Sequence, residues 1–381
     1  PIDGGYKRAR PRVFKVQEAR KQGKKAVWQR RGKDGDMTTA TRTFDDVVVE
    51  AKQRAIELNP LDRWSSLDRF EFVPIEDENR RAHLKPLEGT SPGLPPLQLS
   101  EHALRQLMAR VDYPIKLLDR LPAKLNHLSV NWLLQHYLGE REALIRTVRG
   151  NLARAVLGSR YTPLDDVELL ALAAPYMEGA LVRWEAFGEL GTHISVSWPA
   201  DAQDSLERGI HIANSEVGVR SVTIQAILYR PACANILPAL GGGDGEDIYR
   251  RRSPFNRSRG QLGTMAGGWR FIHTGDKDRL ATFVKDAIKD TRRQYDAVLA
   301  RYQAGLEKQV DAISCIEELS KEGDLTREQM KRTLEAFAQE YSPTVTGVAN
   351  AFTRAARYEE DPEERYFMQS LGTAALHIYL N

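Results

Sequence analysis

The chain lacks most of the features that would assign it to a secreted, membrane or disulfide-rich class of protein. It contains two cysteines in 381 residues, Cys233 and Cys315, which is too few for a disulfide scaffold or a CxxC metal site. No stretch approaches about 18 uncharged apolar residues, so the sequence predicts no transmembrane helix. Its opening stretch, PIDGGYKRAR, contains no apolar segment typical of a secretory signal. We therefore expect a cytoplasmic protein in a reducing compartment, with no membrane partner.

The sequence also lacks the short motifs of common enzyme classes. It has no GxSxG nucleophile motif, no HExxH metal motif, no GxxxxGK[ST] phosphate loop and no GxGxxG after a strand. The glycine run from Gly241 to Gly243 is followed by acidic residues and has no adjacent lysine, so we interpret it as a flexible loop. The sequence therefore predicts no catalytic residue, no cofactor and no metal.

Positive charge is concentrated in a basic arm at residues 1–33. This arm holds twelve of the 55 lysines and arginines and two acids, so its net charge is +10 and the rest of the chain carries −7. A basic arm on an acidic body indicates a polyanionic partner, most simply nucleic acid. The candidate binding residues in the arm are Lys7, Arg8, Arg10, Arg12, Lys24, Lys25, Arg30 and Arg31. Two alternatives remain open: the arm clasps a neighbouring subunit, or it is a disordered tail that promotes solubility.

A second basic segment lies between residues 248 and 260, which contain five arginines and no acidic residue. Two aromatic residues are interleaved with these arginines. Arginines neutralise phosphates and aromatic rings stack on unpaired bases, so this composition predicts a contact with single-stranded nucleic acid. A loop that forms salt bridges between subunits explains the same composition. The candidate residues are Tyr249, Arg250, Arg251, Arg252, Phe255, Arg257 and Arg259.

A sparser group of arginines lies along a predicted β-hairpin at residues 143–157 and in the loop after it. It comprises Arg146, Arg149, Arg154 and Arg160. We take Arg149, Arg154 and Arg160 as further candidates for binding nucleic acid, and a charged solvent-facing surface is the alternative.

Hydrophobic periodicity predicts an α+β fold, with a central antiparallel, hairpin-rich sheet packed with helices and a C-terminal region of long helices. Helices are expected at 43–58, after an N-cap at Ser100, and from Asp276 onward, where one helix is predicted to continue to Ile313. Three hairpins are expected within residues 143–157, 181–198 and 209–229, and a proline-rich connector at 73–97. The expected organisation is a basic arm at 1–36, a helical and proline-rich region at 37–99, an α+β core domain at 100–275 and a helical region at 276–381.

Two histidines on successive predicted strands, His193 and His211, raise the alternative of a metal-dependent nuclease in which Glu216 is a third ligand. Two histidines and one loop acid fall short of a defined ligand set, so we favour histidines that form hydrogen bonds within the sheet. The turn Asn214 to Gly218 is interpreted as structural, with Gly218 at a positive φ. The Glu216 side chain is expected to be dispensable.

Three phrases occur in series: Leu157 to Asp166 (LGSRYTPLDD), Asn214 to Gly218 (NSEVG) and Tyr229 to Asn235 (YRPACAN). Together they resemble motifs of a phage/plasmid-like family of unknown function, over roughly residues 100–300. Ile236 stands where that family usually has a glycine. A hairpin-rich sheet with helices in a phage or plasmid setting also looks, more distantly, like the single-strand annealing proteins of the Red-beta and Erf type.

This resemblance implies a homo-oligomer, a ring or a filament, that holds single-stranded DNA or RNA by its backbone during recombination. Two strands repel each other until their phosphates are neutralised, and base pairing supplies the specificity, so annealing requires no catalytic residue. We therefore expect a non-catalytic protein that binds and anneals single-stranded DNA. A structural or regulatory oligomer whose arm clasps its neighbour is the alternative.

Overall fold

The computed structural model describes residues 42–75, 82–89, 95–200, 206–239, 269–271, 273 and 276–380. Within this range the chain begins with α1 (Phe44–Leu58), which confirms the helix expected at 43–58. Thr43 is its N-cap, and Asp46 accepts a hydrogen bond from the Thr43 amide in a capping box. The basic arm and the arginine-rich segment both lie outside the described residues.

The first sheet contains six strands and is covered on one face by two helices. Its strands are β1 (Leu61–Ser66), β2 (Phe70–Pro74), β3 (Ala82–Pro86), β4 (Leu97–Leu99), β5 (Glu142–Val148) and β6 (Leu152–Gly158). Their spatial order is β1-β5-β6-β4-β3-β2, and every pair is antiparallel except β4 with β6. The helices are α2 (Glu101–Arg110) and α3 (Ala123–Leu133). Ser100 caps α2, as expected, by accepting a hydrogen bond from the Ala103 amide.

The prediction of a connector at 73–97 was wrong, because part of this stretch belongs to the first sheet. Leu84 in β3 and Leu97 in β4 are fully buried, and Leu84 pairs with Phe72 of β2. Pro74 and Pro86 stand at strand ends, where a missing amide donor is tolerated. Strands from residues 61–99 and from residues 142–158 therefore share one sheet.

The second sheet is antiparallel and contains the remaining strands. They are β7 (Leu181–Phe187), β8 (Thr192–Ser197), β9 (Glu207–Asn214), β10 (Val222–Arg230), β11 (Asn235–Pro238) and β12 (Trp269–Phe271). The spatial order is β11-β10-β9-β8-β7, and β12 pairs with β10. The three predicted hairpins are confirmed, but they are divided between two sheets: the first forms β5 and β6, and the other two form β7 to β10.

Helices pack on both faces of the second sheet and against one another. They are α4 (Asp166–Ala173), α5 (Leu280–Glu307), α6 (Ala312–Glu322), α7 (Arg327–Glu340), α8 (Val345–Ala356) and α9 (Pro362–Ile378). Alternate residues of β10 pack first against α5 with α1 and α4, and further along against the C-terminal helices. The α+β class and the helical C-terminal region are confirmed. The single helix expected to reach Ile313 is interrupted, because Asp311 caps a new helix through the Ser314 amide.

Across the described ranges, every helix is too short or too polar to span a lipid bilayer.

Candidate functional site

Two of the three phrases, Leu157 to Asp166 and Asn214 to Gly218, meet at a polar junction between the sheets. The Asn214 side chain, at the end of β9, donates hydrogen bonds to the Leu164 carbonyl (3.0 Å) and to Oδ1 of Asp166 (2.8 Å). The Tyr161 hydroxyl donates to the Ser215 carbonyl (3.1 Å). We call residues 161–166 and 214–218, together with Arg146 and Arg154, which pair with their carboxylates, the junction.

Glu216 lies inside the junction and is bonded through both carboxylate oxygens. Oε1 accepts from the Asp166 amide at 3.0 Å, and Oε2 accepts from Nη1 of Arg154 at 2.8 Å. The Glu216 side chain is 18% exposed and that of Arg154 is 15% exposed. The expectation that Glu216 is dispensable therefore conflicts with its contacts, because its removal would break the ion pair with Arg154 and leave a helix amide without its acceptor.

The hairpin arginines separate into Arg146 and Arg154, which are buried or largely buried and form ion pairs, and two exposed residues. Arg146 is 4% exposed, donates from Nε to Asp62 (2.7 Å) and from Nη1 to the Glu216 carbonyl (2.9 Å), and pairs with Asp165. Arg146 and Arg154 are thus neutralised within the protein. Arg149, at the β5–β6 turn, and Arg160, beyond the end of β6, are exposed.

Asp166 is a buried carboxyl group of the junction that the sequence analysis did not single out. Thr192 donates to its Oδ2 at 2.5 Å. Burial and the neighbouring Glu216 raise the pKa of Asp166 to about 7. In the sequence, the one indication of this group was the pair of adjacent aspartates, Asp165 and Asp166.

A cleft of about 170 Å³ opens beside Asp166, between α1 and the second sheet. Its lining includes Arg54, Arg154 and Phe187, and it contains no histidine, cysteine or lysine. Arg54 lies over the Phe187 ring at 4.9 Å and donates to the Phe187 carbonyl at 3.2 Å. Both carboxylate oxygens of Asp166 accept hydrogen bonds, one from Thr192 and one from Asn214, so the group helps to hold the junction together.

The histidine pair forms a buried hydrogen-bonded chain on the other face of the second sheet. Ser195 Oγ contacts Nδ1 of His211 (2.9 Å), His211 Nε2 contacts Nδ1 of His193 (3.3 Å), and His193 Nε2 contacts Glu363 of α9 (3.0 Å). This chain is complete when each ring carries its proton on Nε2. Burial lowers the pKa of both histidines well below 6.5, which keeps them neutral.

The structure supports the hydrogen-bonded interpretation of these histidines and does not assemble the proposed metal site. Glu216 is bonded in the junction, whereas the histidines contact Glu363. Within the part of the chain that the structure describes, no three histidine, cysteine, aspartate or glutamate residues are arranged to hold a metal ion.

The arginine-rich segment is inserted between two short strands that pair with the same strand, β10. Pro238, the last residue of β11, pairs with Ile227, and Trp269, the first residue of β12, pairs with Ile224. These two positions on β10 are separated by roughly 10 Å. Trp269 is held further by a hydrogen bond from its indole to Asp290 of α5 (2.9 Å). The candidates from Tyr249 to Arg259, like those from Lys7 to Arg31, lie outside the described residues.

The third phrase, Tyr229 to Asn235, ends where β11 begins, just before this insertion. Arg183 lies over the Tyr229 ring at 4.7 Å, and Ala234 adopts a positive φ of 49° in the turn before β11. Asn235 is buried and donates to the Asn350 carbonyl of α8 (3.5 Å). The phrase therefore connects the second sheet to the C-terminal helices.

No protein-family model, curated protein or solved structure matches this chain.

Proposed function

We propose that this protein is a non-catalytic, oligomeric cytoplasmic protein of phage or plasmid type that binds single-stranded DNA, or RNA, and promotes strand annealing. The observation that carries the proposal is the insertion of an acid-free, five-arginine segment between β11 and β12. Because both ends of the insertion pair with β10, its arginines are attached to a folded sheet at two points. In an oligomer every subunit would present the same segment, which would bring many arginines to one nucleic-acid strand.

The ion pairs formed by Arg146 and Arg154 support the assignment of phosphate contacts to other basic residues. Arg146 and Arg154 are neutralised inside the junction, so they are poor candidates for phosphate contacts. The exposed arginines Arg149 and Arg160 lie near opposite ends of the β5–β6 hairpin and do not form a continuous basic line. The proposal therefore assigns most of the phosphate contacts to the segment 249–259 and to the basic arm.

The first test replaces Arg250, Arg251 and Arg252 with alanine and measures the affinity for an oligothymidine at several salt concentrations. We expect weaker binding and a salt slope that falls by about 0.7 for each lost phosphate contact. A matched control removes the same charge from exposed helical positions by Arg292→Ala, Lys321→Ala and Arg327→Ala. An unchanged slope in the first triple variant would refute the assignment.

The structural-oligomer alternative predicts a different result when residues 1–33 are deleted. If the arm clasps a neighbour, the deletion lowers the mass of the assembly in light scattering and leaves binding per subunit unchanged. If the arm contacts nucleic acid, the deletion lowers the affinity and the salt slope, and the mass is retained. Absence of single-strand binding by the full chain would favour the alternative.

A further inference from the structure

Two arginines beside the third phrase have no acidic partner among the residues that the structure describes. Arg365, in the first turn of α9, lies over the Trp184 ring, with its guanidinium carbon 4.7 Å from the ring centroid. Its Nε is buried and forms no hydrogen bond within the described residues. Arg357, the residue after α8, donates from Nη1 to the Cys233 carbonyl at 3.0 Å. We call Arg357 and Arg365 the arginine pair.

The turn before β11 brings the two guanidinium groups to one side of the second sheet. Arg357 is bonded to Cys233 in this turn, and the next residue, Ala234, packs against the apolar cluster that contains Trp184. Burial and the positive charge of Arg357 lower the pKa of Arg365 to about 10, and no carboxylate of the described chain offsets this effect. The arginine pair therefore consists of two neighbouring cations that repel each other.

The loop between the two arginines contains five acids, and at least four of their carboxylates bond to other groups. Glu359 and Glu364 bond to residues of α7. Glu363 pairs with Arg220, and Asp361 caps α9. In the described part of the chain none of the five forms an ion pair with the arginine pair. The five acids are Glu359, Glu360, Asp361, Glu363 and Glu364.

The charge around the turn favours a dianion as the partner of the arginine pair. A further acid, Glu340, already faces two other cations, Arg230 at 3.6 Å and Arg354 at 2.9 Å. Guanidinium groups bind phosphate through charge-assisted hydrogen bonds that are often paired. A phosphate monoester carries about −1.5 to −2 charges at pH 7, which matches two guanidinium groups better than a single carboxylate does.

We propose that the arginine pair is a binding site for a phosphate group. The phosphate accepts hydrogen bonds from both guanidinium groups, and the Trp184 ring holds the guanidinium of Arg365 in place. A bound dianion offsets the repulsion between the two cations and the cost of burying one of them without a partner. The phosphate belongs to a nucleic-acid strand or to a free phosphate compound. The site does not depend on the arginine-rich segment or on the proposed single-strand function.

The first test measures the urea midpoint of the full chain when sodium phosphate replaces sodium chloride at constant ionic strength. Phosphate also stabilises proteins by exclusion from their surface, so the measure is the difference between wild type and variants. We expect the midpoint of wild type to rise more than that of Arg365→Met, which keeps an unbranched chain on Trp184, and more than that of Arg357→Gln. Arg208→Met is the matched control, because Arg208 lies over the Trp198 ring at 5.7 Å but is exposed. This control should respond like wild type.

The midpoints in chloride distinguish a binding role from a structural one. Arg365→Met should unfold in chloride at the same urea concentration as wild type or a higher one, because it removes a cation that has no acidic partner. A lower midpoint in chloride together with an unchanged response to phosphate would assign Arg365 to packing alone and overturn the site. Equal responses to phosphate in wild type, Arg365→Met and Arg357→Gln would also overturn it.

Binding of a 20-nucleotide oligothymidine identifies the source of the phosphate. If the site holds a backbone phosphate, Arg365→Met lowers the salt slope of binding by about 0.7. If the variant loses the response to phosphate but keeps the wild-type slope, the ligand is a free phosphate compound. Wild-type protein that binds no oligothymidine would refute the proposed function, whereas the response to phosphate would still decide whether the site exists.

Discussion

The carboxylate of Glu216 caps the first turn of α4 by accepting a hydrogen bond from the Asp166 amide at 3.0 Å. The sequence-local capping residue, Asp165, makes no side-chain capping bond, because Arg146 engages its carboxylate. A residue fifty positions away thus satisfies the helix N-terminus and places a negative charge at its positive end. This tertiary cap fixes the turn after β9 to the helix that follows β6.

Glu216→Ala should lower the free energy of unfolding by about 2 kcal/mol, because it leaves Arg154 and the Asp166 amide without their acceptor. The measurement is the urea midpoint. Glu189→Ala, at an exposed position in the neighbouring loop, is the control and should lie within about 0.5 kcal/mol of wild type. Equal midpoints for the two variants would contradict the capping role.

Asp166→Asn should change how stability depends on pH. The folded-state pKa of Asp166 is raised to about 7, so the folded state binds its proton more tightly than the unfolded state, and stability from this group falls as pH rises from about 4 to 7. The variant should gain stability relative to wild type across this window, by at most about 1.4 kcal/mol per pH unit. Asparagine can still accept from Asn214 and can donate to Thr192.

The buried histidines change the stability with pH in the opposite sense to Asp166. The quantity to measure is therefore the difference in the free energy of unfolding between Asp166→Asn and wild type at each pH. His193 and His211 have lowered pKa values, so their contribution is lost as pH falls below about 6.5. Asp112→Asn, at an exposed turn position with φ 53°, is the control. A pH-independent difference for Asp166→Asn would show that Asp166 does not titrate in this range.

Gly218→Ala should destabilise the protein more than Gly89→Ala. Both glycines have φ +78°, so the backbone strain from a side chain is shared and costs about 1 kcal/mol. A Cβ at Gly218 would lie 2.6 Å from Cδ2 of Leu157, whereas a Cβ at Gly89 would meet nothing within 4 Å. Overpacking should add roughly 1–3 kcal/mol at Gly218 alone, measured by denaturant unfolding. Equal losses would mean that Leu157 moves aside without cost.

Glu363→Ala should destabilise the attachment of α9 to the second sheet by about 3 kcal/mol. Glu363 pairs with the largely buried Arg220 and with His193, so its loss removes the ion-pair partner of Arg220 and the acceptor for Nε2 of His193. Glu317→Ala, on the exposed side of α6, is the control. Hydrogen exchange of α9 amides gives the location of the effect, and unchanged protection in α9 would contradict it.

Local patterns in the sequence were sufficient to predict the helix 43–58, the Ser100 cap and the three hairpins. Each depends on residues within one turn or one hairpin, where alternation, capping side chains and turn residues act directly. The positive φ at Gly218 follows from the same short-range chemistry.

Tertiary structure alone decided which strands share a sheet and what Glu216 and Arg154 contact. The parallel pairing of β4 with β6 and the assignment of 82–86 to a strand depend on partners distant in the chain. The same holds for charged side chains. From the sequence alone Arg154 is a candidate phosphate contact, but in the structure it pairs with Glu216, 62 residues away. Short-range sequence patterns determine the local backbone conformation. Which strand pairs with a given strand edge, and which group neutralises a buried charge, depends instead on how distant helices and strands pack together.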